Sequence, residues 1–139
     1  MASEIGSRVP TLAGIHHVKL PVTDIARSLQ WYESRLGYSK EMEFVEDGTL
    51  MGVVMTHPAG GPSFALRLHP EMATASAGFD YFAISVPTRK DIEDLAESLA
   101  GVGEEHGGVQ DTPFGCVLPL LHDPDGHEVR FYFDRRLSS

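Results

Sequence analysis

The run His17-Val-Lys-Leu-Pro-Val-Thr-Asp24, followed by Arg27-Ser-Leu-Gln-Trp-Tyr32 and closed by Leu36-Gly37, decides how this chain folds. Val18, Leu20 and Val22 alternate with His17, Lys19 and Pro21, the period of a strand with one covered face. Asp24 is placed to cap a helix. Ile25, Leu29, Tyr32 and Leu36 then recur at helical spacing, and Gly37 stops the run. A strand therefore feeds directly into an amphipathic helix.

Downstream, Tyr38–Asp47 is strand-like, Asp47-Gly48 signals a hairpin, and Leu50–Met55 is an apolar strand. After the loop Pro58–Pro62, Ser63–His69 alternates again, so residues 14–69 read β-α-β-β-β. The small and polar residues 70–78 read as a linker. The plan then repeats over residues 79–133. Phe82, Ile84 and Val86 alternate with Tyr81, Ala83 and Ser85, and Thr88 and Asp91 form a capping-box pattern. Ile92, Leu95 and Leu99 mark a helix face. Glu104–Thr112, Gly115–His122 and His127–Phe133 are strands, with Asp123-Pro124-Asp125-Gly126 a type I turn. Residues 1–13 read as a mobile leader and 134–139 as a tail. The expected fold is α+β: two tandem βαβββ modules forming a cup-shaped mixed sheet with helices outside. Pattern alone also allows an ordinary α+β sandwich of unrelated halves.

Composition narrows the functional classes. The 139 residues are 42% hydrophobic, enough for a core. No apolar run approaches the ~20 residues of a bilayer span, and the first ten residues lack a signal-peptide pattern. A soluble cytoplasmic protein is the expectation. Twenty acidic residues against eleven Lys and Arg give a net charge of −9, which disfavours nucleic acid and anionic membrane as partners. Cys116 is the sole cysteine, so no intrachain disulfide forms and multi-thiolate zinc sites are excluded. In its apolar run it reads as a small buried hydrophobe.

The opening His17–Asp24, Arg27–Tyr32 and Leu36-Gly37, together with the closing Asp123-Pro124-Asp125-Gly126, resembles the vicinal oxygen chelate superfamily, which includes glyoxalase I, extradiol dioxygenases and bleomycin-resistance proteins. The resemblance spans residues 14–133. It implies four metal-ligand positions, two per half, which map to His17, Arg67, Tyr81 and Arg130. The offsets agree: His17 to Tyr81 is 64 residues and Arg67 to Arg130 is 63. His17 is the only family-position ligand retained, because guanidinium has no lone pair to give. The expectation is therefore no metal cofactor. The alternative is a divalent metal at a shifted site using His17 with His69 or Glu128.

By strand parity Lys19, His69, Ser85, Glu128 and Tyr132 also face the cup. Ligand-binding candidates are thus His17, Lys19, Arg67, His69, Tyr81, Arg130 and Tyr132, a cationic set suited to a carboxylate or phosphate. The competing reading makes Arg67 and Arg130 structural ion-pair partners of Glu128 or Glu43. For an enzyme, His17, Tyr81 and Glu128 are the candidate acid–base groups of a lyase, isomerase or dioxygenase-like activity. The leading expectation is a small-molecule binding protein of the glyoxalase/bleomycin-resistance type. A homodimer is implied by the resemblance, and a dimeric module with a filled cup is the third reading.

Overall fold

The computed structural model describes residues 9–137. The proposed leader falls outside it up to residue 8, and the tail at residues 138–139; residues 9–13 are exposed and irregular. The first half contains β1 (Val18–Val22), α1 (Ile25–Leu36), β2 (Ser39–Glu46), β3 (Thr49–Thr56) and β4 (Phe64–Leu68). A short helix, α2 (Pro70–Ser76), follows. The second half contains β5 (Ala83–Ser85), α3 (Arg89–Gly101), β6 (Gln110–Thr112), β7 (Gly115–Leu118) and β8 (Arg130–Asp134). The two four-stranded sheets have the same order, β1-β4-β3-β2 and β5-β8-β7-β6. In each, the first and last strands pair in parallel and the remaining pairs are antiparallel. Among the described residues no helix is long and apolar enough to cross a membrane.

Local chemistry accounts for the boundaries. Asp24 caps α1 by accepting from the Arg27 amide at 3.0 Å, and Gly37 ends it in the left-handed region at φ 81°. Thr88 and Asp91 form the capping box of α3. Asp47 and Gly48, both at positive φ, make the tight β2–β3 turn. The Gly126 amide closes its turn on the Asp123 carbonyl at 2.9 Å. Segment 70–78, expected as an irregular linker, carries α2, with the His69 side chain as its N-cap and Pro70 in its first turn.

Helices cover one face of each sheet. Under α1 lie Leu20, Val22, Val53, Met55, Phe64 and Leu66; Ile92 and Leu99 of α3 join Ile84, Cys116, Leu118 and Phe131 in the same core. The buried Cys116 matches its reading as a small hydrophobe. The halves are fastened by polar bonds. Trp31 Nε1 and Arg35 Nε both donate to Glu104 Oε1 at 2.9 Å. The Tyr32 hydroxyl donates to Asp123 Oδ2 at 2.8 Å, and Thr23 Oγ1 to Asp125 Oδ1 at 2.7 Å. Burial raises the Asp123 carboxyl above the ordinary aspartate range.

Candidate functional site

The helix-free faces of the two sheets carry the sequence-predicted residues. On the first sheet, Lys19 lies opposite Ala65, and Arg67 opposite Pro21 and Gly52. Lys19 is exposed and has no ion-pair partner among the described residues. Arg67 reaches Glu46, with N···O distances of 2.6 and 3.2 Å. Their side chains are 37% and 54% exposed, and the guanidinium hydrogen bond lowers the Glu46 pKa. Glu43, the partner considered from sequence, instead pairs with Lys40 at 2.7 Å.

On the second sheet the residues are tied together. Glu128, only 5% exposed at its side chain, accepts from Arg130 Nε at 2.8 Å and from the Leu120 amide at 3.2 Å. Arg130 also reaches Asp80 at 3.2 Å, and bonds to Tyr132 as well as Glu128 hold its proton more firmly. Tyr81 stacks on Phe79 at 5.8 Å, an exposed aromatic pair at the sheet edge. Its hydroxyl meets Nδ1 of the fully buried His127. His127 Nε2 can only donate to its other partner, the Pro21 carbonyl, at 2.7 Å, which leaves Nδ1 to accept from Tyr81. Burial pushes the Tyr81 phenol up to about 12.

Strand pairing corrects the alignment of the halves. Arg130 sits opposite Ala83, two residues past Tyr81. The matching position of the first half lies opposite Lys19, two residues past His17, and is Ala65 rather than Arg67. His17 and Arg67 stand toward opposite ends of the β1–β4 pair, about 13 Å apart at the usual strand rise. The sequence offsets agreed because the intervening loops differ in length, which compensates for the strand shift.

The residues considered for a shifted metal site are not brought together. His69 hydrogen-bonds Val22 at the far end of β1 from His17, and its Nδ1 accepts from the Met72 amide at 3.3 Å. Glu128 is taken by Arg130. His17 is exposed, with Nδ1 2.9 Å from Nδ1 of His16. Among the described residues no three His, Cys, Asp or Glu side chains are grouped to hold a metal ion. A guanidinium and an alanine at two of four positions do not fit one.

Sequence reasoning missed Asp80, Phe79 and His127. Asp80 and Phe79 flank Tyr81 and are visible once Tyr81 is chosen. His127 has the opposite parity to Glu128 and Arg130, so its only signal was its place directly after the Gly126 turn.

A family model described as Glyoxalase/Bleomycin resistance protein/Dioxygenase superfamily matches residues 14–131. No curated protein matches the chain. Among solved structures, a glyoxylase/bleomycin resistance protein/dioxygenase domain from Frankia sp. EAN1pec is 28% identical, with a TM-score of 0.72, covering 91% of this chain and 96% of that one. TnmS3, an antibiotic binding protein from Streptomyces sp. CB03234, is 18% identical at TM-score 0.71, covering 89% and 99%. The fosfomycin resistance protein FosX from Listeria monocytogenes is 12% identical at TM-score 0.69, covering 88% and 94%, and a mutant of it is known in complex with Mn(II). The last two likenesses establish the fold alone.

Proposed function

The chain belongs to the glyoxalase/bleomycin resistance protein/dioxygenase superfamily, and on that premise we propose that it is a metal-free small-molecule binding protein whose cup takes an anionic or polar ligand. The observation that carries this reading is the donor set. At the family's ligand positions stand one histidine, an alanine, a tyrosine bonded to His127, and an arginine. Such a set does not coordinate a divalent cation, and the charge available to an anion comes from Lys19 and Arg67 beside it.

Arg67 is the exchangeable anchor. Its pairing with Glu46 is solvent-exposed and screened, so a ligand carboxylate or phosphate displaces it readily. Lys19 adds an unspent charge, His17 and His69 further donors, and Tyr132 a hydroxyl. Arg130 is already matched by buried Glu128 and by Asp80, so it shapes the cup wall rather than offering a free charge. The Phe79–Tyr81 pair offers an aromatic wall. An acid–base enzyme would draw on His17, Tyr81 and Glu128. Glu128 is spent on Arg130 and the Tyr81 hydroxyl on His127, so binding is the better-supported reading.

The test combines metal analysis of chelator-free protein with calorimetric titration of phosphate and of small aromatic carboxylates. The expected result is substoichiometric metal and anion binding weakened at least tenfold by Arg67→Ala. Stoichiometric manganese, nickel, iron or zinc, or anion affinity indifferent to Arg67, would overturn it. The same reading includes a cytoplasmic homodimer, supported by exposed Met42, Phe44 and Val45 on edge strand β2. A monomer by light scattering at micromolar concentration would refute that part.

A further inference from the structure

A cavity of about 520 Å³ opens where β5 turns into α3, between the end of α1 and loop 57–62. Its walls are apolar: Leu36 and Tyr38 from the first half, Ile84, Val86, Leu95 and Phe131 from the second. Ile84, Val86 and Phe131 belong to the helix-covered face of their sheet, so this space is separate from the cup. Its size falls in the range of roughly 300–1,000 Å³ typical of small-molecule pockets.

The charges around it are already cancelled. Arg35 donates to Glu104 at 2.9 Å, and Asp91 is bound to the Thr88 amide and hydroxyl at 3.0 and 2.6 Å. His57 spends both ring nitrogens, on the Leu36 carbonyl at 2.8 Å and the Ala59 amide at 3.1 Å. The Tyr38 hydroxyl is used on the Pro62 carbonyl at 2.8 Å. What remains is Ser85, whose hydroxyl has no hydrogen-bond partner among the described residues. It borders the cavity through its place in β5, but alternation with Ile84 and Val86 turns its side chain toward the cup. An ion placed here would lose water and find no free countercharge, whereas an uncharged apolar molecule loses little.

We propose that this junction cavity is a second ligand site, for a compact, uncharged, largely apolar ring compound. Gly60 and Gly61, both at positive φ on the exposed lip, leave the opening free of side chains there. The site takes uncharged aromatics while the cup takes anions, so the two are independent.

Calorimetric titration with 1-naphthol, against 1-naphthoate as the charged comparator, tests this. The expected result is one naphthol per chain, and at least tenfold weaker naphthoate binding at this site. Ala59→Trp fills the cavity from an exposed loop position, and Leu95→Trp fills it from α3; each should weaken naphthol at least tenfold. Arg67→Ala should leave it unchanged. The proposal is overturned by absence of naphthol binding, by binding indifferent to both tryptophan variants, or by binding lost in Arg67→Ala. Those outcomes leave the anion test of the cup untouched. An unshifted melting temperature for Ala59→Trp certifies its fold.

Discussion

Arg67 and Arg130 look alike in the sequence and differ in the structure. Arg67 meets an exposed carboxylate; Arg130 meets one that is almost wholly buried. Arg67→Ala should therefore leave the urea midpoint essentially unchanged. Arg130→Ala leaves Glu128 charged and buried with one amide partner, and should cost about 2–4 kcal/mol. Urea denaturation of the two variants side by side checks this, and equal losses would show that burial of Glu128 is not what matters. Tyr81 makes a second test. Ultraviolet titration of the chain minus Tyr81→Phe should show a phenol ionising at about 12, well above the usual 10. Because the folded state keeps that proton longer than the unfolded chain, stability from this group declines as pH rises from about 10 to 12 and is constant below. A difference spectrum appearing near pH 10 would contradict it. The sequence marked His17, Tyr81 and Arg130 through alternation and resemblance. Which carboxylate each arginine meets was not legible, because it depends on where loop 119–128 returns.

At the scale of elements, most strands and the two long helices were legible because they carry a periodic apolar face and a chemical stop, whereas β2, exposed throughout, and the short polar β6 show only as partners of β3 and β7. α2 was not legible. Its seven residues bury only Ala73, so no periodicity announces it; it rests on a histidine cap and a proline. The register between halves was equally hidden, since counting residues cannot see a two-residue strand shift compensated by loop length. Gly37 tests how much a stop signal is worth. A side chain there must adopt φ 81° and would bring Cβ to 3.3 Å from His57 Nε2. Gly37→Ala should cost about 1–2 kcal/mol, read as a lower urea midpoint at unchanged slope. Gly115→Ala should be worse, about 3 kcal/mol, because its Cβ would overlap the Phe133 carbonyl in the paired strand β8. A neutral Gly115→Ala would mean that β7 and β8 are less closely paired than described here.

The duplicated order of the two sheets was readable at the scale of the whole molecule, since each half repeats the same sequence plan. The junction was not, because its partners lie about 70–100 residues apart: Trp31 and Arg35 with Glu104, Tyr32 with Asp123, Pro21 with His127. This junction makes the halves interdependent. Tyr32 and His127 are fully buried, and each needs a polar partner from the other half; separated, each would leave such groups unsatisfied at about 1–3 kcal/mol apiece. Heat should therefore unfold the chain in one transition rather than two. Glu104→Ala removes the shared acceptor of Trp31 and Arg35. It should cost about 1–3 kcal/mol and lower the melting temperature by about 3–5 °C per kcal/mol, without splitting the transition. Glu104→Gln keeps an acceptor for Trp31 and should recover part of the loss. Calorimetry that resolves two melting steps in the native chain would show that each half closes its own core and that the junction bonds are incidental. A single step that shifts with Glu104→Ala and partly returns with Glu104→Gln would show that the bonds between the halves hold the cup as one cooperative unit.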